Sequence, residues 1–374
     1  MFKLIHQDKN SGARLGKITT RHGEIETPCF MPVGTHGTIK GLYPKDVVEA
    51  GAQIMLANTY HLFLRPGMEV IRKAKGLHKF ISWDKPILTD SGGYQIFSLA
   101  LLRKLSDKGV EFQSHIDGCK HFLTPEDVLD IQRDLGSDIM MPLDECVHYP
   151  CTRTQAEMAM HRTINWAGRS CKHKNRLKED NVNNRQFLFG IVQGATYEDL
   201  RNICVKELKD MDFDGYAIGG VSVGEPSNLI YNILGITAVL LPIEKPRYAM
   251  GIGYPQDILE AVERGIDMFD CVVPTRYGRN GTAFTSKGKV KIGNSPYLED
   301  FKALDENCSC YTCRNFSRAY LRHLFNAREM LGLTLLSLHN VYFFLDLAGK
   351  IRKAIRDNCF SEFKKDFLNN YLIG

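Results

Sequence analysis

Two sets of residues in this chain of 374 have the types and spacing to do chemistry. The tighter set is CSCYTC, a Cys-x-Cys-x2-Cys arrangement of Cys308, Cys310 and Cys313. Thiolates packed this closely can wrap one tetrahedral ion, and Zn²⁺ suits three sulfurs and one nitrogen with no open position, which makes the site structural rather than catalytic. Two histidines are available as the fourth ligand, His323 in RAYLRHLF and His339 at the close of LTLLSLH, and spacing alone does not choose between them. The second set is scattered: Asp90 in TDSGGYQ, Asp144 in PLDEC, Gln193 in IVQG, Gly220 in GGVSVGE and Asp270 in MFDCVVPTR each follow or end an apolar run. One acid in such a place is an ordinary helix N-cap. Five polar or glycine signatures in register ask for more. If Asp90 and Asp270 converge, they match the two-carboxylate logic of retaining glycosyl transfer, one attacking the anomeric carbon and the other moving protons. Gln193 and Asp144 together could read the amide edge of a heterocycle, Gln as donor and Asp as acceptor.

Elements that alternate between strand and helix must position these residues. Eight short apolar runs read as strands: CFMPV, QIMLAN, PILTDSGG, IMMPLDE, FLFGIVQGA, YAIGGVSVGE, RYAMGIG and MFDCVVPTR. Between them lie stretches with apolar residues at helical spacing, among them 44–50, 125–135, 198–208 and 255–263. Strand then helix, eight times, predicts an α/β fold of the (β/α)8 TIM-barrel class, in which active sites gather at the C-terminal ends of the strands. A doubly wound open sheet is the fold alternative. An N-terminal hairpin precedes the barrel, and 111–123, alternating around Asp117-Gly118, reads as a small hairpin insertion after the third strand. The expected division is a catalytic barrel at 1–275, a zinc-binding insertion at 276–340, and a last barrel helix at Val341–Arg356 within a C-terminal segment 341–374.

Composition excludes other classes. Hydrophobic residues at 44% and charged residues at 24% are ordinary for a globular chain. The apolar stretch Ile236 to Leu241 ends at Pro242, well short of the roughly 18 residues a membrane span needs. The first residues lack an apolar secretion core, and eleven cysteines, an odd number, fit reduced thiols, so a cytoplasmic location is expected. Charge is uneven. Residues 272–374 hold 16 Lys and Arg against 9 Asp and Glu, whereas residues 1–271 hold 32 against 34. A basic end on a neutral body suits a polyanionic partner, although a solvated helix surface would look the same.

The motifs TDSGGYQ, PLDEC, GIVQG, GGVSVGEP, YAMGIGYPQD, GIDMFDCVVPTRYGRNG and CSCYTC with a distant histidine resemble, in order and along nearly the whole chain, the bacterial tRNA-guanine transglycosylases. That resemblance implies a barrel with one structural Zn²⁺ per subunit, usually a homodimer. It implies exchange of the wobble guanine in the anticodon loop of certain tRNAs, within a U-G-U sequence, for the 7-deazaguanine base preQ1 in queuosine biosynthesis, without a redox or nucleotide cofactor. Position by position, Asp270 resembles the nucleophile and Asp90 the general acid/base. Tyr94 and Met250 resemble the pair that sandwiches the purine. Asp144, Gln193 and the Gly220 N–H match the base-reading set, with Ser91, Gly92 and Gly93 shaping the pocket and Val221 in its wall. Glu225 matches the carboxylate that admits the aminomethyl group of preQ1 by exchanging hydrogen bonds with a neighbouring peptide. Gly251, Ile252, Gly253, Tyr254, Pro255, Gln256 and Asp257, with Thr275, Arg276, Tyr277, Gly278 and Arg279, match the RNA-contacting stretches. Cys308, Cys310, Cys313 and His339 match the zinc ligands.

Departures are few. Val221 and Ser222 stand where many bacterial relatives have Leu and Ala, while Cys146 and Val223 agree with the preQ1-using type rather than the roomier eukaryotic enzyme that takes queuine. The archaeal relatives carry C-terminal RNA-binding domains for which this sequence has no room. Two rivals remain at this stage: a non-catalytic zinc-containing RNA-binding partner, against which both aspartates argue, and a retaining carbohydrate hydrolase, which has no use for the cysteine cluster or for Arg276 and Arg279.

Overall fold

A computed structural model describes residues 1–99, 102–180 and 186–372. The eight apolar runs form eight parallel strands: β1 (Cys29–Gly34), β2 (Met55–Ala57), β3 (Ile87–Thr89), β4 (Ile139–Met140), β5 (Phe187–Val192), β6 (Gly215–Ile218), β7 (Arg247–Ala249) and β8 (Met268–Cys271). Each pairs with its neighbours in chain order, and β8 returns to β1, so the sheet closes and the doubly wound alternative falls away. The strands read as continuous apolar runs because both faces are covered. Phe187, Phe189 and Ile191 point inward with Leu56, Leu88, Ala217, Tyr248 and Met268, while Leu188 and Val192 pack outward against helices.

One helix shows why the local sequence folds as it does. In Pro125–Leu135, Thr124 accepts a hydrogen bond from Asp127 N at 3.1 Å and Asp127 accepts from Thr124 N at 2.9 Å, Pro125 opens the first turn, and Gly136 ends it at φ 79°. Capping at both ends fixes the length of the helix. The expected hairpin after β3 is present as Gly109–Gln113 paired with Lys120–Leu123, and a third strand, Arg103–Ser106, extends it.

The lower end of the barrel is closed by the N-terminal segment, a three-stranded antiparallel sheet of Phe2–Gln7, Arg14–Thr20 and Gly23–Thr27. Its Ile18 and Ile25 join the barrel interior. Arg14, fully buried, donates to both oxygens of Asp267 at the foot of β8, and Arg247 N adds a third bond at 2.7 Å.

The last barrel helix differs from expectation. It runs from Met330 to Arg356, eleven residues earlier than Val341, so the boundary drawn at 340 falls inside it. LGLTLLSLHN reads as the tail of an insertion only if its histidine is treated as a loop ligand; as a helix its leucines bury one face and His339 lies mid-helix, fully buried. This helix is also long and apolar enough to cross a bilayer, yet most of its apolar window is buried against protein. The preceding insertion has its own small core of Ala283, Ile292, Leu304, Leu321 and Leu324, shared with Leu335 and Leu336 of the long helix.

Candidate active site

Asp90 and Asp270 both open onto the upper mouth of the barrel. Asp90 follows β3 and is 8% exposed. Its Oδ2 accepts from Asn58 Nδ2 and its Oδ1 from Thr59 N at 2.9 Å, both at the end of β2, while Thr59 Oγ1 donates back to Asp90 O at 2.6 Å. Burial raises the Asp90 carboxyl to about 6; the donors oppose this, and the negative charge of Asp270 adds to it. The charge of Asp270 therefore reaches Asp90 across one mouth.

Asp270 sits on β8 and is partly open to that mouth. Its Oδ1 takes two bonds, from Tyr248 Oη at 2.6 Å and Gly251 N at 2.8 Å, and no donor from the described residues reaches its Oδ2. One oxygen is anchored and the other is free to attack, the arrangement a carboxylate nucleophile requires. Burial raises its carboxyl, and the two donors pull it back down.

Beside the pair is a polar pocket wall. Asp144 Oδ1 accepts from Ser91 Oγ and Oδ2 from Gln193 Nε2, each at 2.9 Å. One N–H of the Gln193 amide is thus engaged by Asp144, its second N–H remains available as a donor, and its buried Oε1 has no partner. Gly220 lies at φ 61°, where a Cβ would come within 2.4 Å of that same Oε1; a Cβ at Gly93 would meet Asp144 O at 2.7 Å. Side chains at either position would fill the pocket. Glu225 accepts from Ser222 N at 2.6 Å and Val223 N at 2.9 Å, with Val221 buried beside it. Cys146 is buried too, its thiol pushed up to about 12 by desolvation. Tyr94 opens the helix Gly93–Leu99 with 49% of its surface exposed, and Met250 packs in part against the barrel interior.

The two stretches expected to meet RNA do not form an even surface. Arg276 is exposed, and Gly251, Tyr254, Gln256, Tyr277 and Arg279 are half-buried, but Ile252, Gly253, Pro255, Asp257, Thr275 and Gly278 lie inside. They support the surface from behind: a Cβ on Gly253 would overlap Cys271. Tyr254 and Tyr277 join the stretches through their hydroxyls at 2.9 Å, with Lys289 over both rings.

The cysteine cluster gathers around His339, not His323, which is exposed on the helix Arg318–Asn326. His339 Nδ1 lies 3.7, 3.4 and 3.3 Å from the sulfurs of Cys308, Cys310 and Cys313. Bonds of about 2.3 Å to sulfur and about 2.0 Å to nitrogen at tetrahedral angles place such atoms roughly 3.5 Å apart. His339 Nε2 donates to Phe284 O at 2.7 Å, which leaves the Nδ1 lone pair facing the thiols. The donor set fits one ion. A second group, His22, His78 and Asp138, is at the opposite end of the barrel. Its imidazoles stack face to face at 3.7 Å, so their ring planes, which carry the lone pairs, do not converge on a metal. His22 hydrogen-bonds Asp138 instead, and His78 Nε2 bonds Lys85 O with Asp138 Oδ2 3.3 Å away.

Sequence reasoning missed Asn58, Thr59 and Tyr248, which hold the two carboxylates. It also missed Arg201, a fully buried guanidinium that donates to the carbonyls of Val192, Ala195 and Gly220 behind the pocket wall. The run NTYH after β2 carried the one visible signal, an Asn-Thr pair at a strand end.

Residues 8–372 match the family described as queuine tRNA-ribosyltransferase. Proteins of that name from Thermoanaerobacter pseudethanolicus and Aquifex aeolicus are each 57% identical to this chain, covering 99% and 98% of it and 97% and 98% of their own lengths. A third, from Desulforamulus reducens, is 52% identical over 100% of this chain and 99% of its own. With the closed barrel, the paired carboxylates at its mouth and the Cys3His cluster, these matches establish that the chain belongs to the queuine tRNA-ribosyltransferase family, the tRNA-guanine transglycosylases.

Proposed function

We propose that this chain exchanges the wobble guanine of GUN-anticodon tRNAs for preQ1 through a covalent aspartyl-ribosyl intermediate. The observation that carries the reading is the asymmetric pair: Asp270 with one oxygen anchored and one free, and Asp90 raised to about 6 beside it. The free Oδ2 of Asp270 attacks ribose C1′ as the bond from C1′ to guanine N9 breaks, and Asp90 gives its proton to the leaving base. After guanine leaves, Asp90, now a carboxylate, takes the N9 proton of the incoming base. N9 then displaces Asp270 from C1′. Two inversions retain the configuration, and both carboxyls return to their starting state. A group near 6 can both give and take a proton at neutral pH.

Base selection follows from the wall. Asp144 accepts from the donor edge of the heterocycle, the Gln193 amide N–H and the Gly220 N–H donate to its acceptor, and Tyr94 with Met250 closes on the flat faces, bringing an exposed aromatic ring to use. Ser91, Gly92, Gly93 and Val221 shape the space. Cys146 and Val223 keep it narrow, in favour of preQ1 over queuine. The preQ1 ammonium needs an acceptor, and turning the peptide between Val221 and Ser222 would present its carbonyl and release Glu225 from Ser222 N. Arg276 and Arg279, with the 251–257 stretch behind them, read the U-G-U loop. A splayed loop nucleotide enters such a mouth without breaking a helix. Zn²⁺ on Cys308, Cys310, Cys313 and His339 would act as a structural crosslink. The eleven unpaired thiols suit a cytoplasmic enzyme, working as a homodimer.

The test is incorporation of radiolabelled guanine into unmodified tRNA, with denaturing electrophoresis of the enzyme trapped on RNA. Asp270→Asn should abolish the trapped species; an unchanged yield would remove the ester from the mechanism.

A further inference from the structure

Two arginines of this protein are fully buried, and they are held differently. Arg14 forms an ion pair with Asp267, whereas no carboxylate among the described residues lies within ion-pair distance of Arg201, on the helix Glu198–Asp210. The Arg201 nitrogens donate to three carbonyls instead: Nε to Ala195 O at 2.9 Å, Nη1 to Val192 O at 3.2 Å and Nη2 to Gly220 O at 3.3 Å. Burial pulls the group down to about 10, which leaves it charged at neutral pH. A buried cation costs free energy that an apolar side chain of the same volume would not. What that cost secures is backbone, at the ends of two adjacent strands, β5 and β6.

The surroundings leave no slack. Val192 O also takes Gly219 N at 3.0 Å, and Gln193 N donates to the buried Cys204 Sγ, on the same helix as Arg201, at 3.4 Å. A Cβ on Gly194 would come within 2.9 Å of Arg201 N, and the Cβ position of Gly220 lies between Gln193 Oε1 at 2.4 Å and Arg201 Nη2 at 3.5 Å. Three successive peptides then behave differently. The 219–220 peptide carries the Gly220 N–H, the 220–221 peptide is held through its carbonyl by Arg201, and the 221–222 peptide carries the Ser222 N–H that Glu225 accepts. Ser222 stands at φ 59°, in the left-handed region, and turning the 221–222 peptide carries it back toward the negative φ that a side chain prefers. The third peptide therefore gains by turning while the second is fixed.

We propose that Arg201 is a positioning residue for base selectivity: it pins the 220–221 peptide, so that the 221–222 peptide can turn for the aminomethyl group of preQ1 without drawing the Gly220 N–H off the heterocycle. This rests on the reading of the chain as an enzyme that exchanges guanine for preQ1. Guanine asks for no turn, so it depends less on the pin. Lysine does not replace arginine here, because a compact ammonium cannot reach three carbonyls that a planar fork spans.

Incorporation of labelled guanine and of labelled preQ1 into the same unmodified tRNA, at saturating tRNA, tests the role. Arg201→Met and Arg201→Lys should each lower kcat/KM for preQ1 about tenfold, the worth of one hydrogen bond, and that for guanine about twofold, so that the ratio of preQ1 to guanine falls about fivefold. Loss of folded enzyme scales both bases alike and leaves the ratio where it was, so the ratio is readable from whatever fraction folds. Arg201→Lys, which keeps the charge and much of the stem, is the variant to read where Arg201→Met does not fold. Lys206→Ala, exposed on the same helix, is the control and should leave both values unchanged. A ratio that stays at the wild-type value in either Arg201 variant, with the wild type using both bases, would overturn the positioning role alone. A wild type that incorporates guanine but not preQ1, or neither, would overturn the reading of the function and the positioning role with it.

Discussion

One aspartate stands just before strand β8 and another near its upper end, and the two are treated oppositely. At the foot, Asp267 is fully buried and takes three donors from Arg14 and Arg247. Three residues on, Asp270 takes two donors on one oxygen and none on the other. A second pair of groups shows the same contrast: at the bottom Asp138 is shared by His22, His78 and Ile87 N, while at the top Gln193 keeps an orphan oxygen. Groups that hold the fold have their partners within the chain. On the proposed function, the oxygens left open at the top, Asp270 Oδ2 and Gln193 Oε1, are those the substrate engages.

If the comparison is right, breaking the lower pair costs stability first. Asp267→Ala leaves the Arg14 guanidinium buried without its counter-charge and should cost about 3–5 kcal/mol, or roughly 5 °C in Tm for a chain of this size, in thermal unfolding. A loss no larger than that of a surface substitution would break the contrast.

At the top the sign reverses. Asp90 is raised in the folded state, so its contribution is intact below the unfolded value near about 4 and is lost as pH rises through about 6. Asp90→Asn should therefore stabilise the protein on the order of 2 kcal/mol at pH 7 in urea titrations, while reducing exchange by about a hundredfold or more. The stability gap should close below roughly pH 4; a gap independent of pH would mean the carboxylate is not under strain from burial.

The smallest effect sharpens the comparison at one atom. Tyr248→Phe keeps the barrel packing and removes one of the two donors on Asp270. It should lower kcat about tenfold, with little change in the tRNA KM, and raise the acid limb of the kcat/KM profile, because the nucleophile loses a bond that favours its charged form.

The eight strands were legible because a strand covered on both faces is written as an unbroken apolar run, and FLFGIV or RYAMG cannot sit comfortably anywhere else. Asp90, Asp144, Gln193 and Asp270 were legible for the same reason, as polar letters at the ends of those runs. Tyr248 was not. It reaches Asp270 because the pairing of Tyr248 with Met268 puts residues 248, 268 and 270 on the inner face, and that register is a property of two strands together. The early start of the Met330–Arg356 helix was hidden by its histidine, which a metal motif invites one to place in a loop.

His339 and Asn340 are neighbours on that long helix. One donates to the Phe284 carbonyl from beneath the sulfurs. The other accepts from Phe284 N and donates to Pro274 O and Thr282 O, and Pro274 opens the short helix Val273–Arg279. The cysteine cluster is thereby a mooring for the arginines, two residues removed from the chemistry. On the proposed function, loosening that cluster should weaken tRNA binding before it disturbs either donor on Asp270.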